Sequence, residues 1–248
     1  MSDQIRNLLR KAGIEAYRYT VQTSTGAQLQ RLLEFCRIDL VLDVGANRGH
    51  YATGLRANGY VGRIVSFDPL AAAHAILEAT ARADAGWEVA PRMALGDMDG
   101  EITIHVAGNS LSSSVLDMLP EHERAAPGSA YVDSETVPLR RLDNVAGDFL
   151  RGSRCVMLKI DTQGYEDRVL TGAHGMLQSV VAIQSELSLV PLYAGQRLFD
   201  EMRSRIEAMG FVLFAVFPGY VHEQTGQTLQ IDGFFIRREM VSGDTCRP

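Results

Sequence analysis

Apolar residues recur along this chain in two rhythms, and the change between them falls near residue 37. Before it, Ile5, Leu8 and Leu9, then Leu29, Leu32, Leu33 and Cys36, lie at the spacing of one helix face. This predicts a helical cap over residues 1–36, set apart from a main domain over 37–248. Beyond that point, apolar runs of strand length alternate with longer helical segments. The pattern predicts strands over 38–44, 61–67, 87–93, 101–106, 136–139, 155–160, 180–187, 211–217 and 231–237. Helices are predicted over 50–57, 71–83, 142–150, 165–170 with extension toward 177, and 196–209. Asn58-Gly59 and Gly210 stop two of them. The turn Gly96-Asp97-Met98-Asp99-Gly100 is a hairpin signal between neighbouring strands. Residues 108–136 break the rhythm with Asn109, Ser110, Ser112 to Ser114, Pro120, Pro127 and Gly128. A long irregular insert inside a compact domain is usually functional or mobile.

Strands alternating with helices build a mostly parallel sheet with helices on both faces. The last two strands have no helix between them, so one strand runs antiparallel. The expected fold is therefore α/β and Rossmann-like, with a mostly parallel seven-stranded sheet closed by one antiparallel strand. Ligands of such sheets sit beyond the C-terminal strand ends.

Composition narrows the function without naming it. A length of 248 residues with 46% hydrophobic and 22% charged residues supports one sizeable core. A net charge of −6 argues against a nucleic-acid partner. Phe211–Phe217, the longest strongly apolar stretch, is far shorter than the ~20 residues of a membrane helix. Residues 2–11 lack the layout of a secretory signal. Cys36, Cys155 and Cys246 share no C-x-x-C spacing and read as free thiols in a reducing, cytoplasmic setting. Arg140-Arg141 and Arg237-Arg238 read as solvated strand ends. A homo-oligomer stays open.

The chemistry concentrates at strand ends. In Val41-Leu42-Asp43-Val44-Gly45-Ala46-Asn47-Arg48-Gly49 an apolar strand runs into a glycine loop and then a helix. Gly45 and Gly49 allow a sharp turn and a close approach to a ligand. The spacing is G-x-x-x-G, not the G-x-G-x-x-G of dinucleotide folds, and Asp43 precedes it. A carboxylate inside an apolar run needs a partner. The pattern suits a cationic ligand without phosphate, such as S-adenosylmethionine, with Asp43, Gly45, Ala46, Asn47 and Gly49 around it. Asp68 ends the next strand, nineteen residues beyond Gly49, where an acid accepts hydrogen bonds from ribose hydroxyls. Asp68 before Pro69 is also a sound helix cap. Gly96 and Asp97 follow the third strand and border the adenine position in this reading. Lys159 and Asp161 share one side of a strand, and Glu186 ends the next one. With neighbouring strands about 4.8 Å apart, Asp43, Asp161 and Glu186 form an acidic rim. Such a rim can hold the donor's ammonium, deprotonate a hydroxyl, or bind a hard divalent cation. A purely structural pairing of Lys159 with an acid is the plainer alternative. The six histidines show no metal-ligand spacing, so no residue is assigned to a metal. His50, after the glycine loop, and His122, in the insert, could each reach a substrate, but a solvated or core histidine is the plainer reading of each.

Leu158-Lys159-Ile160-Asp161-Thr162-Gln163-Gly164-Tyr165-Glu166, followed by Val169-Leu170-Thr171-Gly172-Ala173, resembles the L-K-I-D-x-E-G-x-E…V-L-x-G-A signature of FkbM methyltransferases. Ala94-Leu95-Gly96-Asp97, Ser112 to Ser114 and Arg141-Leu142-Asp143 are similar to further landmarks of that family, and the likeness spans roughly residues 39–237. Gln163 departs from the signature, where glutamate is usual, and this weakens a metal reading. The resemblance implies a class I methyltransferase fold with S-adenosylmethionine as cosubstrate. It also implies O-methylation of a small-molecule hydroxyl on a sugar, glycolipid or polyketide-type product. Asp161, Lys159 and Glu186 are then the expected catalytic group, with Asp161 the first choice for the base. The rival readings are a nicotinamide-dependent oxidoreductase and a non-catalytic S-adenosylmethionine-binding protein.

Overall fold

In a computed structural model, residues 3–241 of the chain are described. Cys246 lies outside them. The chain opens with α1 (Asp3–Lys11), an irregular stretch, and α2 (Thr25–Phe35), which is capped by Ser24 accepting from the Ala27 amide at 3.3 Å. The predicted cap is thus two helices with a loop between. Leu32, Leu33 and Cys36 at the end of α2 are buried in the main core, whereas Ile5 and Leu8 of α1 stay exposed.

The alternating part follows as β1 (Leu40–Val44), α3 (His50–Ala57), β2 (Arg63–Phe67), α4 (Ala71–Ala81) and β3 (Trp87–Val89). Then come β4 (Ala94–Leu95), β5 (Gly100–Ala107), α5 (Pro120–Ala125), β6 (Tyr131–Arg140) and α6 (Leu142–Phe149). The last third holds β7 (Val156–Ile160), α7 (Glu166–Gly172), a 3-10 turn over Met176–Ser179, and β8 (Val180–Ser188). It ends with α8 (Phe199–Ala208), β9 (Phe211–Pro218), β10 (Gln230–Arg237) and α9 (Arg238–Val241).

Among the described residues, seven strands form one sheet in the order β3-β2-β1-β7-β8-β10-β9. All neighbours run parallel except β10, which is antiparallel to both β8 and β9. This is the expected Rossmann-like class I methyltransferase topology.

The hairpin expected around Gly96–Gly100 does not form. β4 and β5 belong to a second, three-stranded sheet in the order β4-β6-β5. β6 lies between them, pairing Leu95 with Arg140 in parallel and Gly100 with Leu139 antiparallel. The turn is tied to the end of β6 by the Arg141 amide on Asp99 Oδ1 at 2.7 Å and Arg141 Nη1 on the Asp97 carbonyl at 2.8 Å. A local turn signal carries no information about a partner forty residues away. Of the pair Arg237-Arg238, Arg238 is exposed as expected, but Arg237 is not a solvated strand end. Arg237 donates to the carbonyls of Val180 and Met209 and lies 4.2 Å over the Phe211 ring.

Each central strand shows two faces. Leu40, Leu42 and Val44 of β1 and Val156, Leu158 and Ile160 of β7 pack against α6, α7 and α8 through Leu142, Ala146, Val169, Leu170, Met202 and Ile206. Val41, Ile64, Met157, Ala182, Phe234 and Ile236 pack on the other face, with α2 and α3 supplying Leu33, Ala52 and Leu55. On this second face the apolar residues occupy only the half nearer the N-terminal ends of the parallel strands. Toward their C-terminal ends the same rows continue as Asp43, Lys159, Asp161, Gln184 and Glu186, with Asp232 opposite Glu186 on β10.

Candidate functional site

The glycine loop follows β1 and bends over the sheet edge. The amides of Gly45 and Ala46 both reach the Phe67 carbonyl at 3.0 Å. Gly45 has φ +77, and a Cβ there would collide with the Asp161 carbonyl of β7's end. Gly49 has φ +86, but its missing Cβ makes room for the Trp87 ring and Leu77. Gly49 therefore serves helix packing, and Gly45 serves the strand-end crevice.

Asp68, at the end of β2, is almost fully buried. Its Oδ2 accepts from the Asn47 amide at 2.7 Å and its Oδ1 from the Leu70 amide at 3.0 Å. Burial pushes the carboxyl up to about 7, against the lowering effect of those two amides. Asp68 forms one wall of a cavity that also meets Gly45, Asn47, Phe67, Met93 and Leu95. Ser110, Leu111, Ser113, Ser114 and Val115 of the insert also line it, and Asp161, Gln163 and Tyr165 close the far side. Of the residues expected around a donor, Gly45, Asn47 and Asp68 line this cavity. Ala46 and Gly49, in the same loop, do not line it. Gly96 packs against Tyr165 and Gly172, and Asp97 pairs with Arg168 at 2.8 Å. The cavity is lined instead by Met93, after β3, and by Ala94 and Leu95 of β4.

Asp43 is fully buried and does not reach the cavity wall. Its Oδ1 lies 3.1 Å from Lys159 Nζ, its partner in register on β7, and its Oδ2 accepts from Ser66 Oγ at 3.3 Å. The Trp87 indole donates to the same Ser66 oxygen at 3.0 Å. Lys159 also faces Asp161 at 3.6 Å, donates to the Gly45 carbonyl at 3.4 Å, and lies 5.1 Å over the Tyr51 ring. Burial pulls the Lys159 ammonium down, but Asp43 and then Asp161 outweigh it and leave it above its ordinary value.

Beyond Lys159 the rim widens into carboxylates laced by glutamines. Gln163 Nε2 donates to Asp161 Oδ1 and to Glu186 Oε2, each at 2.8 Å. Gln230 Nε2 donates to the same Glu186 oxygen at 2.6 Å. Gln184 accepts from Tyr51 at 2.6 Å and hydrogen-bonds Asp232. Burial, then the charges of Asp161, Glu166 and Asp232, push Glu186 well above the ordinary carboxylate range. Burial, then Asp161, carry Asp232 to about 6. Gln163 adopts a left-handed φ of +54, uncommon away from glycine. Its loop is held from below by buried Glu166, whose Oε1 accepts from Thr162 N at 2.8 Å, Thr162 Oγ1 at 3.2 Å and Gly164 N at 3.2 Å.

The insert is anchored to this rim. Ser114 Oγ donates to the Gln163 carbonyl at 2.7 Å, and Tyr193 donates to Gln163 Oε1 at 2.8 Å. His122 on α5 is buried beside Tyr193, with Nε2 at 3.0 Å from Ser112 Oγ. His50 is exposed at the start of α3. Among the described residues, no group of three or more His, Cys, Asp or Glu side chains is placed to share a metal ion.

Asp161, Lys159, Glu186 and Asp43 therefore come together as the strand pattern implies. Asp232, Gln184, Gln230, Tyr51 and Tyr193 were not expected there. For Asp232 and Gln230 a signal existed. They alternate with Phe234 and Ile236, so the two-residue period places them on a buried face.

The sequence profile of the Methyltransferase FkbM domain matches residues 43–213. No curated protein matches the chain. Among solved structures, the chain is similar to TehB from Haemophilus influenzae, at TM-score 0.45 and 10% identity, over 93% of this chain and 66% of that one. The mitomycin 7-O-methyltransferase MmcR gives TM-score 0.45 and 10% identity, over 86% and 52%. The magnesium protoporphyrin IX methyltransferase ChlM from Synechocystis PCC 6803, solved with bound SAM, gives 0.44 and 11%, over 95% and 92%. The chain thus spans about half to two thirds of the length of the first two.

Proposed function

The chain belongs to the FkbM methyltransferase family, and from that premise we propose that it is an S-adenosylmethionine-dependent O-methyltransferase. Its acceptor is a hydroxyl of a sugar, glycolipid or polyketide-type natural product. The observation that carries this reading is a cavity with Asp68 on one wall and Asp161 on another. Asp68 presents its carboxylate to the ribose hydroxyls of the donor. Phe67, Leu70, Met93 and Leu95 form the apolar slot for its adenine. Gly45 lets the backbone approach the methionine moiety, and Asp43 keeps Lys159 beneath that loop rather than touching the donor.

Asp161 lines the far side of the cavity, Lys159 and Glu186 adjoin it outside the lining, and these three serve the acceptor. The bound donor supplies an electrophilic methyl on a sulfonium. The acceptor oxygen bonds to that methyl as the carbon–sulfur bond breaks, and the electron pair stays on sulfur. The hydroxyl proton passes to a rim carboxylate. Much of the rate comes from holding the two reactants in line. The insert over the cavity excludes water during the transfer.

Calorimetry with S-adenosylhomocysteine tests the donor side. The chain should bind it, and Asp68→Ala should weaken binding by about 1.5–3 kcal/mol, roughly 10- to 150-fold. Parent-like affinity in Asp68→Ala sinks the ribose assignment. Binding of NADH in preference to S-adenosylhomocysteine favours an oxidoreductase. Tight S-adenosylhomocysteine binding with no product formed across a panel of glycosides and polyketide alcohols favours a non-catalytic binding protein.

A further inference from the structure

We propose that Glu186 is the base that takes the acceptor's proton, and that Asp232, facing it across the β8–β10 pair, is a positioning residue acting through it. The proposal rests on the acceptor reading of the rim given above. Three carboxylates meet there, and their oxygens are not equivalent. Asp161 has the Gln163 amide on Oδ1 at 2.8 Å and the Lys159 ammonium 3.6 Å from Oδ2, so both oxygens face donors. Taking up a proton would break that arrangement.

Glu186 is held differently. Gln163 and Gln230 both donate to Oε2, at 2.8 and 2.6 Å. Among the described residues no hydrogen bond reaches Oε1, and Glu186 is only partly buried. Two amides on one oxygen pin the group and leave the other free to accept. Asp232 is the register partner of Glu186 and lies on the same face of the sheet. Gln184 holds Asp232 while accepting from Tyr51.

The charges around Glu186 come from every neighbouring element. They are Asp161 and Lys159 from the end of β7, Glu166 from α7 and Asp232 from β10, with the Tyr193 hydroxyl nearby. Lys159, the cation of this group, is already taken by Asp43 and Asp161. The balance favours proton uptake at Glu186, and Asp232 adds to it. In the reaction, the acceptor O–H proton moves to Glu186 Oε1 as the O–CH3 bond forms and the C–S pair retires onto sulfur. Glu186 then returns the proton to water.

Carboxyl 13C NMR of the ligand-free protein tests this without any turnover. The Glu186 resonance, identified by its loss in Glu186→Gln, should titrate well above the ordinary carboxylate range. Asp232→Asn should move its midpoint down by about one pH unit, the size expected for removing a close like charge. Asp232→Ser removes the same charge and stands in if the asparagine variant does not fold. Titration of Glu186 in the ordinary range, or a midpoint unmoved by either variant, overturns the proposal. In the methylation assay at saturating donor, the acidic limb of the rate profile should vanish in Glu186→Gln and shift to lower pH in Asp232→Asn. A limb that vanishes in Asp161→Asn instead also overturns it. Absent S-adenosylhomocysteine binding would sink the donor reading alone, and the NMR titration would still decide this one.

Discussion

The two sides of the cleft are built on different principles. On the donor side, the ends of β1 and β2 present one carboxylate, Asp68, backbone amides and apolar walls. On the acceptor side, β7, β8 and β10 present three carboxylates, one ammonium and three glutamine amides that hold one another. In the proposed reading the first side needs a single acid, because main-chain amides of the glycine loop and of Leu70 already fix Asp68. The second is a side-chain network in which no group has its place without its neighbours. Damage on the first side should appear as lost donor affinity. Damage on the second should appear first as lost stability or altered proton transfer.

The strongest test of this contrast is Lys159→Met. It leaves Asp43 buried without its cation, and breaking such a pair costs about 3–5 kcal/mol. Denaturant unfolding should register that loss, while the molecules that remain folded keep their affinity for S-adenosylhomocysteine. A variant as stable as the parent would show that the two sides are not built differently in this respect.

A smaller effect belongs to the donor side and depends on pH. Asp68 has its carboxyl raised to about 7 by burial, and the ionised form is the better acceptor for ribose hydroxyls. Protonation therefore opposes binding, and affinity for S-adenosylhomocysteine should fall as pH drops through 7. At pH 6 the loss should be about tenfold relative to the alkaline plateau, since one pH unit is worth about 1.4 kcal/mol. A flat affinity between pH 6 and 8 would remove Asp68 from the ribose contact.

The smallest effect probes the join between rim and insert. Tyr193→Phe deletes one hydrogen bond to Gln163 and should lower the unfolding free energy by about 1 kcal/mol. Donor affinity should not change. A loss of donor affinity in this variant would mean that the two sides are coupled through Gln163.

The same contrast explains what could be read from the chain itself. Asp43, Gly45 and Asp68 lie in a short stretch whose order matches their order in space, so local spacing located the donor side. Asp161 and Glu186 end strands that are near in sequence and adjacent in the sheet. Asp232 and Gln230 reach the rim only because β10 turns back antiparallel to β8, a pairing made across the α8 and β9 region. Their polarity was visible, but their neighbours were not. The failed hairpin has the same origin, because β6 arrives from beyond the insert to separate β4 from β5. Asp43 carried the clearest local signal of all. It marked a buried acid correctly, yet its partner is Lys159 of the same protein.

The division of one sheet face into an apolar half and a charged half bears on how the strands find their alignment. Side chains alternate between faces along every strand, so a slip of one residue carries the whole charged row to the opposite side. There Asp43, Lys159 and Glu186 would meet the apolar side chains of Leu142, Val169 and Leu170. Each ion stranded in that way would cost several kcal/mol. The groups that serve the acceptor thus also reject misaligned sheets, and softening them to improve folding would loosen the alignment they enforce.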